Sequence, residues 1–264
     1  MKAPRNNSPI PNQPFSFNDL PTLKGPYWDV ALGNGVSLSI DGNSVTAQGG
    51  GGGGSLPSQF PPYNCNTDVD TTGITIFDEA WMNCYSLTEF PLIDTSSGVN
   101  FYGAWSNCLS LTTFPLLDVS KGINFNYAWA GCSSLTSFPS LSASQGVRFE
   151  EAWSYCNNLT SFSQLDVSNG QFFGGAWRSC NNLTSFPAGM FNNCSTNYNY
   201  AFQDAWYDCA LNQTSVNNIL VSLDTSGIVN NYVNINGGTS AAPSGAGAAA
   251  KTSLQGKGWT VATN

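Results

Sequence analysis

Apolar positions in this chain recur on a fixed count of 24. Trp81, Trp105, Trp129, Trp153 and Trp177 keep that register, and Trp206 follows after five additional residues. Phe77, Phe101, Phe125, Phe149 and Phe173 form a second column, Ala80, Ala104, Ala128, Ala152 and Ala176 a third. Leu87, Leu111, Leu135, Leu159 and Leu183, then Phe90, Phe114, Phe138, Phe162 and Phe186, complete a frame that reads F-x-x-A-W-x-x-C-x-x-L-T-x-F-P. A period of this length is the signature of stacked structural units, each of which buries its apolar face against the next. Within one unit, the apolar residues of Phe-x-x-Ala-Trp-x-x-Cys fall at i, i+3, i+4 and i+7, the spacing of one helical face. Leu-Thr-x-Phe-Pro-x-Leu then reads as a short extended segment that its proline limits. The expected fold class is therefore an α/β solenoid whose 24-residue units carry a short helix or 3₁₀ turn and a short parallel strand, with the Phe, Trp, Cys and Leu columns inside.

The flanks follow different patterns. Residues 1–35 are rich in Pro and aromatics, which disfavours helix and favours extended or polyproline geometry. Phe15, Phe17, Tyr27 and Trp28 make this segment a candidate docking arm on a partner surface, with a floppy tail as the alternative. Residues 36–54 read as a hairpin, with Val36, Leu38 and Ile40 alternating before Asp41-Gly42, and then a glycine hinge, Gly49 to Gly54. The repeat region is assigned to 55–209, and residues 210–264 to a small α/β C-terminal cap, since open stacks need closing. In that cap Thr214 or Ser215 is expected to begin a helix carrying Val216, Ile219, Leu220 and Leu223. A strand from Val229 to Ile235, a helix from Pro243 to Leu254 and a strand at Gly258 to Val261 follow.

Composition changes the picture in three ways. Only 9% of residues are charged, and the formal net charge is −8. Eight basic residues without a run offer no patch for phosphates, so nucleic acid is not an expected partner. No stretch approaches the roughly 18 apolar residues of a membrane span, and the start of the chain carries positive charge without the apolar region of a secretory signal. With no histidine, Ser-His-Asp catalysis is excluded and zinc loses its commonest ligand.

Cys84, Cys108, Cys132, Cys156 and Cys180 share one slot of the frame. They are expected to form a ladder of buried, reduced thiols that pack as small hydrophobes. Asp94, Asp118 and Asp166 also share a slot, within Asp-x-Ser-x-Gly. That sequence is a turn signature in which the carboxylate caps backbone N–H groups; a calcium column and a catalytic carboxylate pair are the weaker alternatives. Glu150-Glu151 stands where other units carry Tyr102-Gly103, Asn126-Tyr127 and Gly174-Gly175. Variation at fixed positions is how repeat proteins tailor a binding face, so Tyr102, Tyr127, Glu150 and Glu151 are the candidate ligand-face residues; unselected drift of exposed positions is the alternative.

The phrase Ala130-Gly131-Cys132-Ser133-Ser134-Leu135-Thr136-Ser137-Phe138 resembles the signature of BspA-type leucine-rich repeats, with tryptophan in a slot where that family usually has phenylalanine. The likeness covers about half the chain and implies a fold and a role in adhesion, not one chemistry. The segment from Gly237-Gly238-Thr239-Ser240 through Gly258-Trp259-Thr260-Val261 resembles a C-terminal module of bacteriophage virion proteins, tail-fibre-like proteins among them. Together these resemblances imply a non-enzymatic virion structural protein without cofactor, made in the host cytoplasm and carried on the virion surface. Its expected partners are other capsid or tail proteins and a host-surface polysaccharide or protein; homo-oligomerisation is compatible with the chain but not dictated by it. A bacterial cell-surface adhesin of the same repeat family is the alternative.

Overall fold

The computed structural model describes residues 36–41, 44–49 and 62–264. β1 (Val36–Asp41) and β2 (Ser44–Gly49) pair antiparallel, with Val36 opposite Gly49 and Asp41 opposite Ser44. The docking-arm candidates Phe15, Phe17, Tyr27 and Trp28, the 42–43 turn and most of the glycine hinge lie outside the described residues.

From residue 62 the repeats lie directly on one another. Single parallel bridges link Ile76 to Asn100, Asn100 to Asn124, Asn124 to Arg148 and Arg148 to Phe172, and a second series links Ser137, Ser161 and Ser185. Neighbouring indoles stack face to face, with centroids 5.3 Å apart for Trp105–Trp129, Trp129–Trp153 and Trp153–Trp177 and planes within 7° of parallel. The Phe77 to Phe173 column stacks likewise at 5.2–5.4 Å. Phe90 to Phe186 meets the indoles edge-on, as Phe138 does against Trp129 at 4.8 Å and 73°. Offset-stacked and edge-to-face pairs are the two favoured aromatic geometries, each contributing about 0.5–1.5 kcal/mol beyond the area buried.

Of the two forms expected for the Phe-x-x-Ala-Trp-x-x-Cys segment, a short helix or a 3₁₀ turn, the helix is not found; among the described residues the first helix begins at Gln213. Two residues per repeat have left-handed backbone: Glu79, Gly103, Tyr127, Glu151, Gly175 and Asp204 in one column, Asn83, Asn107, Gly131, Tyr155, Ser179 and Asp208 in the other. This conformation turns alternate N–H groups along the stack. Phe77, Glu79, Trp81 and Asn83 donate to the carbonyls of Asn100, Tyr102, Ala104 and Ser106 at 2.7–2.8 Å. The intervening N–H groups close tight turns, Ala80 to Phe77 O and Cys84 to Trp81 O. An α-helix would have consumed the same donors on its own carbonyls four residues back, leaving nothing for the neighbouring repeat. The strand of each unit is likewise shortened to isolated bridges.

Gly98, Gly122 and Gly170 close the Asp-x-Ser-x-Gly turns and Gly146 the equivalent turn that begins at Ser142, and their missing Cβ is what admits the rings of Phe101, Phe125, Phe149 and Phe173 against the backbone. Asp94 Oδ1 accepts from Ser96 N and Oγ at 3.0 and 2.7 Å, and Asp118 Oδ1 does the same with Ser120. These hydrogen bonds hold both carboxylates below the usual carboxylate range.

The cysteine column differs from expectation at its first member. Cys108, Cys132, Cys156 and Cys180 are buried free thiols, and each S–H donates to the carbonyl of the tryptophan one repeat earlier, at 3.1–3.3 Å. Cys84 has no earlier tryptophan repeat beneath it and is instead disulfide-bonded to Cys65. Cys65 belongs to a partial layer laid on the first repeat: Tyr63 N donates to Glu79 O, Asn64 N to Ala80 O, and Trp81 Nε1 to Asn66 O. Farther along, Nε1 of Trp105, Trp129, Trp153, Trp177 and Trp206 is buried without a hydrogen-bond partner.

After Cys209 the units lengthen to include helices. α1 (Gln213–Thr225) is capped by Asn212, whose side chain accepts from Ser215 N, rather than by the expected Thr214 or Ser215. β3 (Tyr232–Asn234) bridges to Phe202, and β4 (Thr260–Ala262) pairs parallel with β3. α2 (Gly245–Gly256) lies on α1, where Gly247 admits the Asn217 side chain. Trp259 anchors this end, its Nε1 donating to Ile228 O at 2.8 Å and its ring 6.0 Å from Phe202.

Candidate functional site

The left-handed column faces outward beside the residue that precedes it, so each repeat presents two side chains there. Successive pairs are Asp78-Glu79, Tyr102-Gly103, Asn126-Tyr127, Glu150-Glu151, Gly174-Gly175 and Gln203-Asp204. All four candidate ligand-face residues lie on this strip. Tyr102 and Tyr127 meet edge to face at 5.8 Å, both more than a third exposed. Burial, then the charges of Glu151 and Glu150, raises the Tyr127 pKa.

The two glutamates are held differently. Glu150 Oε2 accepts from Asn126 Nδ2 at 2.8 Å, Asn126 Oδ1 accepts from Glu150 N at 2.9 Å, and Arg148 approaches to 3.5 Å. Glu151 sits at φ 55°, a conformation that costs a non-glycine residue on the order of 1–2 kcal/mol. Its carboxylate folds over Gly175, where a Cβ would stand 2.5 Å from Oε1. Burial raises the Glu151 pKa, partly offset by a hydrogen bond from Ser154 and by the charge of Arg178.

Several residues of the face were not singled out by pattern. The glycine pair 174–175 leaves a notch of about 200 Å³, bounded by Glu150 and Glu151 on one side and Asp204 on the other, with Arg178 and Tyr200 at its edge. A groove of about 380 Å³ adjoins it through Tyr198. Phe172 and Tyr198 pack at 5.2 Å, Tyr198 and Tyr200 at 6.3 Å, and the Arg148 guanidinium lies 4.8 Å from the Phe172 ring centroid. Their available signal was the interruption of a column of large side chains by Gly174-Gly175. Tyr198 and Tyr200 fall near the five-residue lengthening before Trp206, which hides them from alignment by period.

The other chemistry-bearing groups are turned inward. Burial pushes the Cys108, Cys156, Cys194 and Cys209 thiols up to about 12, and raises those of Cys132 and Cys180 well above that of a free thiol. At neutral pH such thiols are protonated, whereas the nucleophile and metal ligand is the thiolate. Among the described residues no group of three or more His, Cys, Asp or Glu is arranged to hold a metal ion, and no helix is long and apolar enough to cross a membrane. The tryptophan column, Trp81 to Trp177, is at most 1% exposed and serves the core. Comparison with protein-family models, with curated proteins and with solved structures finds no match for this chain.

Proposed function

We propose that this chain is a non-enzymatic structural component of a bacteriophage particle, in which leucine-rich-like repeats form a stiff solenoid that presents a binding face to the host surface. The observation that carries the reading is the division of labour within each repeat. Every repeat spends its tryptophan, its column phenylalanines and its cysteine on the interior, while the two outward positions per repeat change freely, from Tyr102 and Tyr127 to Glu150 and Glu151. A scaffold of constant interior and variable exterior is suited to recognition and supplies no activated nucleophile. The particle assignment rests on the resemblance of the C-terminal segment to virion modules, and residues 1–35 are proposed as the arm that anchors it to capsid or tail proteins.

The second reading, a bacterial surface adhesin, is favoured by the Cys65–Cys84 disulfide, because disulfides persist in oxidising surroundings outside the cytosol. Antibody raised against residues 62–264 separates the two. Gold labelling of purified phage particles is expected under the first reading, and labelling of the uninfected cell envelope under the second. Deleting residues 1–35 is expected to leave the unfolding transition of the repeats intact while abolishing recovery with particles; normal incorporation of the truncated chain would remove the docking role. Recovery of the native chain from a cytosolic complex unrelated to any particle would overturn the proposal itself.

A further inference from the structure

We infer that the notch over Gly174-Gly175, walled by Tyr198 and Tyr200, is a subsite for one pyranose unit of a neutral polysaccharide. This rests on the recognition role proposed above and names the chemistry it would serve. Three features of the notch converge on such a ligand.

The first is its shape. Gly174-Gly175 is the one pair on the strip with no side chain in either slot, Gly103 being the other glycine there, so the gap is one repeat wide between Glu150-Glu151, whose second carboxylate folds over Gly175, and Gln203-Asp204. Adjacent repeats are separated by 5.3 Å at the indole stack, a rise comparable to the length of one sugar unit in an extended β-linked chain. A chain lying along the strip can therefore place successive rings on successive repeats.

The second is the kind of surface. Tyr198 and Tyr200 are about half exposed, and their rings meet edge to face at 70° rather than stacking. Exposed ring faces beside hydrogen-bonding groups suit a ligand that is apolar on its C–H side and polar at its edge, which is the character of a pyranose. Asp204 Oδ1 already accepts from Asn234 Nδ2 at 3.0 Å, which fixes the side chain and leaves Oδ2 as an acceptor for hydroxyl donors. Arg178, whose guanidinium lies 5.5 Å from the Tyr207 ring centroid, supplies donors on the same side.

The third is charge. Glu150, Glu151 and Asp204 line the notch against the single guanidinium of Arg178, with Arg148 paired to Glu150 outside the lining, an acidic balance that disfavours polyanions. Lipid would need an apolar cavity, and this one is rimmed by charged and hydroxyl groups.

The test uses the full chain and calorimetric titration with maltohexaose, cellohexaose and mannohexaose, with an alginate hexamer as the polyanionic control. At least one neutral hexasaccharide is expected to bind at millimolar concentration or below, and the alginate more weakly. Gly174→Tyr fills the notch. It is expected to fold, because position 102 carries tyrosine in the same slot and a Cβ at Gly174 meets only Gln203 O at 3.7 Å. With melting unchanged, it should weaken binding by about tenfold or more; Tyr200→Ala should weaken it too, and Tyr85→Ala, exposed elsewhere, should not. Absence of binding by all three sugars, equal binding by both notch variants, or tighter binding of alginate would overturn the subsite. Particle labelling is a separate readout: particles that carry the chain while no sugar binds would sink the notch and leave the virion reading standing. A chain that binds sugar but never accompanies particles would do the reverse.

Discussion

Replacing Trp129 with alanine removes a ring from the middle of the stack, and its environment fixes the expected cost. The indole is 1% exposed, lies between Trp105 and Trp153 at 5.3 Å on each side, and meets Phe114 and Phe138 edge-on at 5.3 and 4.8 Å. Truncating a buried tryptophan commonly costs about 3–5 kcal/mol, transfer and cavity contributions together. These four aromatic contacts, with a fifth from Phe125 stacked at 6.0 Å, push toward the upper end, since each adds about 0.5–1.5 kcal/mol. One effect works the other way: Trp129 Nε1 is buried without a partner, and removing an unsatisfied donor returns about 1–3 kcal/mol. The net expectation is a loss of about 3 kcal/mol, or roughly 6–12 °C in Tm for a chain of this size. Trp129→Phe separates the contributions, because it keeps a ring in the column and discards the orphaned N–H; it should cost only about 1–2 kcal/mol. Urea unfolding followed by circular dichroism and by the fluorescence of the remaining indoles measures both variants. An alanine variant within about 1 kcal/mol of the parent, or a phenylalanine variant as damaging as alanine, would refute the reasoning.

Three other perturbations follow from the structure. Gly122→Ala drives a methyl group into the Phe125 ring and should cost about 1–3 kcal/mol by overpacking; an unchanged midpoint would show that the ring is free to move. Cys65→Ala opens a link spanning 19 residues and should cost about 3 kcal/mol in the chain-entropy account, with the damage confined to the first repeat. In the parent chain, the six free thiols should react with a disulfide reagent only after unfolding, and rapid labelling of the native protein would contradict their burial. Asp78 has its pKa raised to about 6, by burial first and by the charge of Glu79 second. Because the folded state then holds a proton that the unfolded state has released, stability should fall as pH rises between about 4 and 6. Asp78→Asn should flatten that part of the Tm profile, and a profile of unchanged slope would rule Asp78 out as its source.

The columns were readable because a buried position repeats at the interval of the unit, whatever backbone carries it. The backbone itself was not. Apolar residues at i, i+3, i+4 and i+7 satisfy a helix, but Glu79, Tyr127 and Glu151 adopt left-handed geometry that local propensity does not favour, and hydrogen bonds from the adjoining repeat hold it there. Such a preference exists only between repeats, so no window within one repeat contains it. Gly122 illustrates a second gap: its turn was evident from Asp118-Val119-Ser120, whereas the Phe125 ring that requires the missing side chain is a matter of packing. Cys84 follows the thiol frame by position but sits at the end of the stack, where the acceptor used by its counterparts does not exist. On the outer face, Tyr102, Tyr127, Glu150 and Glu151 stood out through their variation in fixed slots. Arg178 and Asp204 gained meaning only when the glycine pair between the two repeats was seen as a gap.

The axial hydrogen bonds make the 24-residue unit interchangeable. Trp105 N–H is received by Ala128 O and Trp129 N–H by Ala152 O, with the same partners at the same distance of 2.8 Å. Excising or duplicating one whole unit in the middle would therefore join two surfaces that already match, leaving no donor stranded and no ring without a neighbour. The molecule behaves as a ruler graduated in steps of 5.3 Å, and its reach can lengthen or shorten through gene-level recombination without redesign of the interior. A deletion inside the Phe-x-x-Ala-Trp-x-x-Cys segment would break that match, whereas the five residues added before Trp206 leave it stacked on Trp177 at 5.3 Å.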